Sequence, residues 1–270
     1  SIAITASNGA SMNLGAVTAA HSQFGTGDIA GRTSVQTLSG GTLQLASLGI
    51  SDSGSALNPL PTIFAANGGA ITVAGGASIV TRNALILGGS GPITVGGLLD
   101  VSAAGLINGG LGQTSAGAIT LTSGTGIELD GPLVAAGNIG VFGPIPITLA
   151  SVDAGGDVTI DGTVVTTGAV RADGIVFANG NSSLTMASAS AGNRATLLSD
   201  GALNVGAVDA GVVQPASNAV GDAYIRALGP ISTGTVNVAS NAGLVAGGAI
   251  TAGSMTAGQN VVLLAGGDVG

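Results

Sequence analysis

The segment GGDVTI at 155–160 decides how the rest of the chain reads. A glycine turn leads into three residues, of which the outer two, Val158 and Ile160, are apolar and Thr159 between them is polar. In a strand, residues i and i+2 share one face, so Val158 and Ile160 point together into a core while Thr159 points to water. The phrase returns as GAITV at 69–73, GPITV at 91–95, GAITL at 117–121 and GIEL at 126–129. It continues as GNIGV at 137–141, GALNV at 201–205, TVNV at 235–238 and QNVVL at 259–263. A unit this short cannot bury its apolar face alone, and units that must stack on their neighbours make a repeat architecture.

The spacing of the phrases predicts which of them stack. The step from Ile71 to Ile93 is 22, from Ile119 to Ile139 it is 20, and from Ile139 to Val158 it is 19. Leu184 to Leu203 is again 19, and Leu203 to Tyr224 is 21. Secondary phrases lie between these, among them Leu85 to Leu87, Val164 with Val165, Ile175 to Phe177, and Met255. A period of about twenty residues with two or three short strands is the content of one coil of a parallel β-helix. The expected fold is therefore all-β, a β-solenoid of about 20 residues per coil.

Composition points the same way. Glycine is 50 of 270 residues, charged residues are 7% and aromatic residues 2%, against usual values of about 7% for glycine and about 25% for charge. Hydrophobic content of 45% and a mean hydropathy of +0.63 argue against disorder. Glycine interrupts nearly every window of helical length, which excludes a helical protein, and it does not recur at every third position, which excludes collagen. A narrow interior built from ladders of Val, Ile, Leu and Ala has little room for Trp or Tyr. Glycine and asparagine at the bends are expected to supply positive φ angles.

The chain from 1 to 270 reads as one continuous solenoid, with loop excursions near 51–62, 105–117 and 206–222. Residues 51–62 hold Pro59 and Pro61, which do not belong in a central ladder. Pro144 and Pro146 suggest a turn or bulge between two strands. The final phrase AGGDV breaks off where another coil would begin, so the sequence reads as part of a longer chain.

Charge and chemistry narrow the function. The five basic residues, Arg32, Arg82, Arg171, Arg194 and Arg226, stand against thirteen acidic ones, and the net charge is −8. Nucleic acid, which needs clustered cations, is therefore not an expected partner. No apolar run is long enough for a transmembrane segment, and there is no cysteine, so stability must come from stacking. Asp153, Asp157 and Asp161 fall four apart and raise the question of a calcium site, but the nonapeptide of calcium-binding β-rolls does not recur. Asp beside Gly in a turn accounts for them. Glu128 and Asp130 share the outer face of one strand, an arrangement usable for acid–base or polysaccharide chemistry with Arg82 or Arg171. An acidic pair on a solvated face is the plainer account. His21 is the only histidine, and no G-x-S-x-G surrounds a serine. One histidine without cysteine leaves no transition-metal ligand set, and without lysine there is no P-loop. GTGDIAG at 25–31 lacks the strand–helix context of a dinucleotide site. Asn181-Ser182-Ser183 is a glycosylation sequon. The expectation is no enzyme, and no catalytic, cofactor or metal site.

The phrases AGGDVTIDG, AAGNIGVFG, ASNAGLVAGGAITAG and TAGQNVVLLAGGDV resemble the shaft repeats of filamentous haemagglutinin-like exoproteins, the secreted partners of bacterial two-partner secretion systems. The resemblance covers most of the chain and is strongest from about residue 117 onward. It implies a right-handed parallel β-helix, export through an outer-membrane transporter, and an extracellular place on the surface of a Gram-negative bacterium. It further implies a role as a rod or filament in adhesion or biofilm, with host or biofilm surface ligands as partners. Of the NPNL- and NPNG-type motifs in that family's secretion domain only Asn58-Pro59-Leu60 is similar, so the chain resembles shaft. Such a rod would stack further coils of its own chain, or other copies end to end. The alternative functions are a polysaccharide-processing β-helix around Glu128 and Asp130, or a glycan-binding surface on the loops at 51–62 and 206–222.

Overall fold

The structure, a computed structural model, describes residues 2–21, 33–52, 60–144, 146–211 and 221–270. Among these residues every regular element is a β-strand, and the strands pair in parallel. Among the described residues no helix is long and apolar enough to cross a membrane. The residues group into two compact units, Ser1–Ala136 and Gly137–Gly270.

In the unit Ser1–Ala136 the register separation shortens along the chain. Met12 pairs with Leu43, a step of 31, and Leu43 pairs with Ile71, a step of 28. Ile71 pairs with Ile93 at the step of 22 that its spacing predicts, and Ile107 pairs with Ile127 at a step of 20. The apolar outer positions of each phrase are buried, including Ile71, Val73, Ile93, Val95, Ile119 and Leu121. Most strands bury alternate side chains because their other face meets solvent, as in the pattern of Ala77–Thr81, where Ala77, Ile79 and Thr81 are inside and Ser78 and Val80 outside; Thr33–Leu38 and Thr62–Asn67 are the exceptions.

The unit Gly137–Gly270 is more even. Ile139 pairs with Val158 and Leu184 with Leu203, both at a step of 19 and both as predicted. Val158 and Ile160 are fully buried. Thr159 is half-buried rather than exposed, between its register partners Gly140 and Phe177. The expected step from Leu203 to Tyr224 is corrected: Leu203 pairs with Ile231, and Tyr224 with Thr196, each at a step of 28. The extra length falls between the strands Ala202–Ala210 and Asp222–Ala227, and pattern spacing alone cannot see that it interrupts the ladder. Two phrases are also shifted by one position. Ile175 and Tyr224 face outward, and Val176, Ala178, Ala223 and Ile225 fill the core instead.

A further correction concerns turns, and a further finding concerns glycine. The stretch 105–117 is no excursion, since it contains the strand Ile107–Gly109 and the start of Thr114–Ser123. Residues 206–210 and 222 likewise belong to strands, as do 51, 52 and 62; residues 53–59 and 212–220 lie outside the described residues. Positive φ occurs at bends as expected, at Asn8 and at seven of the described glycines, among them Gly9 and Gly40, which follow the left-handed Asn8 and Ser39. The larger use of glycine is close approach. A Cβ on Gly69 would overlap the carbonyl oxygen of Gly41, and the same relation repeats from Gly91 to Gly69, Gly112 to Gly91 and Gly131 to Gly112. Only glycine lets backbones stack this tightly at a bend.

Candidate functional site

The outward carboxylates do not assemble into a catalytic pair with a cation. Glu128 is exposed on the strand Ile127–Leu129, where Asn108 Nδ2 lies 3.5 Å from its Oε2. Asp130 is exposed just beyond the strand end. Among the described residues neither carboxylate makes an ion pair, and Arg82 is exposed elsewhere.

Asp153, Asp157 and Asp161 are each committed to a different neighbour. Asp153 accepts from Arg171 Nη1 at 2.8 Å, and Arg171 Nη2 donates to Asp173. Asp157 Oδ1 accepts the backbone N–H of Ile175 at 2.8 Å, and Asp161 Oδ1 accepts from Asn179 Nδ2 at 2.9 Å. Among the described residues no three carboxylates or histidines gather in a form that could hold a metal ion. The hydrogen bond to Asp153, followed by the charges of Asp173 and Asp153, holds the Arg171 guanidinium above its ordinary pKa, against a small opposing effect of burial. That group therefore stays charged well into the alkaline range.

His21 ends the strand Ser11–His21, where its backbone pairs with Asp52. The fragment at 25–31 and the pair Asn58-Pro59 lie outside the described residues. The sequon is on the strand Ile175–Ala191, with Asn181 exposed and accepting from Asn179 Nδ2 at 3.0 Å.

Two groupings are not visible from sequence. The first is a buried chain of polar groups. Thr62 Oγ1 donates to Asp52 Oδ2 at 3.1 Å and lies 3.0 Å from the Thr81 hydroxyl, which accepts the backbone N–H of Asn83 at 3.1 Å. Thr62 has one proton and gives it to Asp52, so Thr81 donates to Thr62. Asp52 is 2% exposed, which makes this chain a fixed internal feature and not a surface for substrate.

The second grouping is an open groove of about 710 Å³ on the outer face of the unit Gly137–Gly270. Four parallel strands form its floor: Arg194–Ser199, Asp222–Ala227, Ala242–Ala246 and Val261–Ala265. Their register aligns Thr196, Tyr224, Gly243 and Val262 in one outward column. Arg194 and Asp222 are register partners two positions earlier, and Asn241 and Asn260 occupy neighbouring places just before the next two strands. Asp222 Oδ1 accepts from Asn241 twice, from the backbone N–H at 3.1 Å and from Nδ2 at 3.0 Å. Asn260 Nδ2 donates to Asn241 Oδ1 at 2.9 Å. These bonds lock the polar column, while Tyr224 is 41% exposed beside a glycine that leaves room in front of its ring. The signal in sequence is the lone tyrosine, whose outward direction follows only from the register. Comparison of the chain with protein-family models, with curated proteins and with solved structures finds no match to any of them.

Proposed function

We propose that this chain is a structural and adhesive element, a segment of an extracellular β-helical rod or filament on the surface of a Gram-negative bacterium. In this reading the strands wind as a right-handed parallel β-helix of the filamentous haemagglutinin-like kind, with about 20 residues per coil. The observation that carries the proposal is the repeated parallel register in the unit Gly137–Gly270. A step of 19 recurs from Leu184 to Leu203, from Ile231 to Ile250 and from Ala242 to Val261. Parallel strands that follow one another in the same sheet connect right-handedly in about 98% of cases, which supports the hand.

A rod function fits the chemistry of the surface. Many outward positions carry small polar residues such as Thr72, Ser78, Thr94 and Ser102, beside single exposed apolar ones such as Val80 and Leu111, and Glu128, Asp153, Asp157 and Asp161 are held by asparagine, arginine or backbone N–H groups. Such a surface serves as scaffold, without a catalytic role. Its partners are further coils or copies stacked end to end, an outer-membrane transporter during export, and host or biofilm ligands.

Two measurements test the reading. Diffraction from oriented material should show a repeat of about 4.8 Å along the particle axis, the spacing of stacked strands. A strand direction parallel to the particle axis would overturn the β-helix. Immunogold labelling of intact producing cells should place the chain outside the cell, and labelling seen only after permeabilisation would overturn the surface role.

A further inference from the structure

We propose that the groove around Tyr224 binds a neutral saccharide, one pyranose ring stacking on the tyrosine while its hydroxyls bond the Arg194–Asp222 pair. Three observations converge on that chemistry: the exposed ring, the cation and the carboxylate at neighbouring register positions beside it, and the open space in front of it. An exposed aromatic ring offers an apolar face with a polar tip, which suits the C–H face of a sugar. Tyr224 is the only tyrosine of a chain that has no tryptophan, and it stands outward where its neighbours in the column are Thr196 and Gly243.

Charge decides between sugar classes. Arg194 and Asp222 are register partners, so one cation and one carboxylate stand side by side and the groove carries no net charge from them. Among the described residues Arg194 makes no ion pair, so its donors are uncommitted to a carboxylate. Asp222 takes both bonds from Asn241 on Oδ1, leaving Oδ2 as an acceptor. A planar fork of donors beside a carboxylate acceptor matches adjacent hydroxyls, each both donor and acceptor. An anionic sugar would meet Asp222 as a like charge that offsets its attraction to Arg194, so the groove offers it no net electrostatic gain.

Space is supplied by Gly243. A Cβ there would lie 3.6 Å from Tyr224 Cδ2, an ordinary contact, so a side chain is tolerated by the fold but would occupy the place in front of the ring.

The groove has its own reporter, because all tyrosine emission of the chain comes from Tyr224 and no tryptophan masks it. The full chain is titrated with cellotetraose, mannotetraose and galactotetraose, and with tetragalacturonate as the acidic counterpart. The expected result is a saturable change in emission with at least one neutral tetrasaccharide, with a midpoint on the order of 1 mM, a weak single-site affinity. Gly243→Val and Arg194→Ala should each weaken binding by about tenfold or more, while the melting temperature of each variant stays at that of the parent. Should Gly243→Val fail to fold, Arg194→Ala carries the test alone. The proposal is overturned if no neutral probe gives a saturable signal, if tetragalacturonate alone binds, or if folded variants bind as the parent does.

Discussion

The strands Thr33–Leu38 and Thr62–Asn67 stand in contrast to Val158–Ala172 and Ile175–Ala191. In the second pair burial alternates, with Val158, Ile160, Val176 and Ala178 inside and the residues between them partly or fully in solvent. In the first pair it does not. Thr33, Ser34 and Val35 are all buried, as is every position from Thr62 to Ala66. These two strands are register neighbours, Ser34 with Ile63 and Val35 with Phe64, so a whole patch is covered on both faces. The patch also holds buried hydroxyls on Thr33, Ser34 and Thr37 that have no hydrogen-bond partner among the described residues. A strand with one face in water announces itself by alternation. A strand covered twice loses that signature, and polar groups then enter the interior, of which Thr62 alone finds side-chain partners, in Asp52 and Thr81.

The contrast can be broken by charge substitution. Val158→Asp or Ile160→Asp should cost about 3–5 kcal/mol in chemical denaturation, since a lone charge would be buried at either site. Ile63→Asp should approach that cost although it lies on the outward side of its strand, because it is only 6% exposed. The corresponding change Thr159→Asp, at a half-buried middle position, should cost about 1 kcal/mol. If Ile63→Asp proved as mild as Thr159→Asp, the two pairs of strands would not differ in cover.

Backbone crowding gives the next effect. Gly91→Ala, whose Cβ would overlap the Gly69 carbonyl, should lose about 1–3 kcal/mol as an overpacked site, whereas Gly243→Ala should leave the melt unchanged. Equal melts for the two variants would refute the close-approach role of that glycine column. Thr62→Val, which removes the donor to Asp52, should also cost about 1–3 kcal/mol. A neutral result would mean that the buried polar chain contributes nothing net.

Arg171→Ala should be the smallest change, under about 1 kcal/mol, because both carboxylate partners are solvent-exposed. A raised arginine pKa contributes stability that is complete below its unfolded value and is lost only as pH climbs through the folded value. Melts of parent and variant should therefore keep a constant difference between about pH 6 and 9. A difference that vanished within that window would show that Arg171 is not the group responsible.

Much of the interior is legible in the sequence because alternation is local. Each phrase carries its own two inward residues, and these can be assigned without knowledge of any other strand; Ile127, Ile139 and Leu203 are examples, each 1% exposed or less. The Tyr224 groove is not legible for the opposite reason. Whether Tyr224 stacks over Leu203 or over Thr196 depends on how the chain between two strands is spent, and a shift of one position moves every side chain to the other face. Asp52 escapes the sequence likewise, since its partner Thr62, and Thr81 beyond it, reach it only through the pairing of separate strands.

By itself the sequence determined an all-β chain of short strands with small aliphatic residues inward, because strand periodicity and glycine content are properties of a few neighbouring residues. The tertiary structure alone decided which strands are register partners, which patch is buried on both faces, and where Tyr224, Arg194 and Asp222 come together. Those are outcomes of long-range pairing, and the free energy that selects them is shared among residues far apart in the chain.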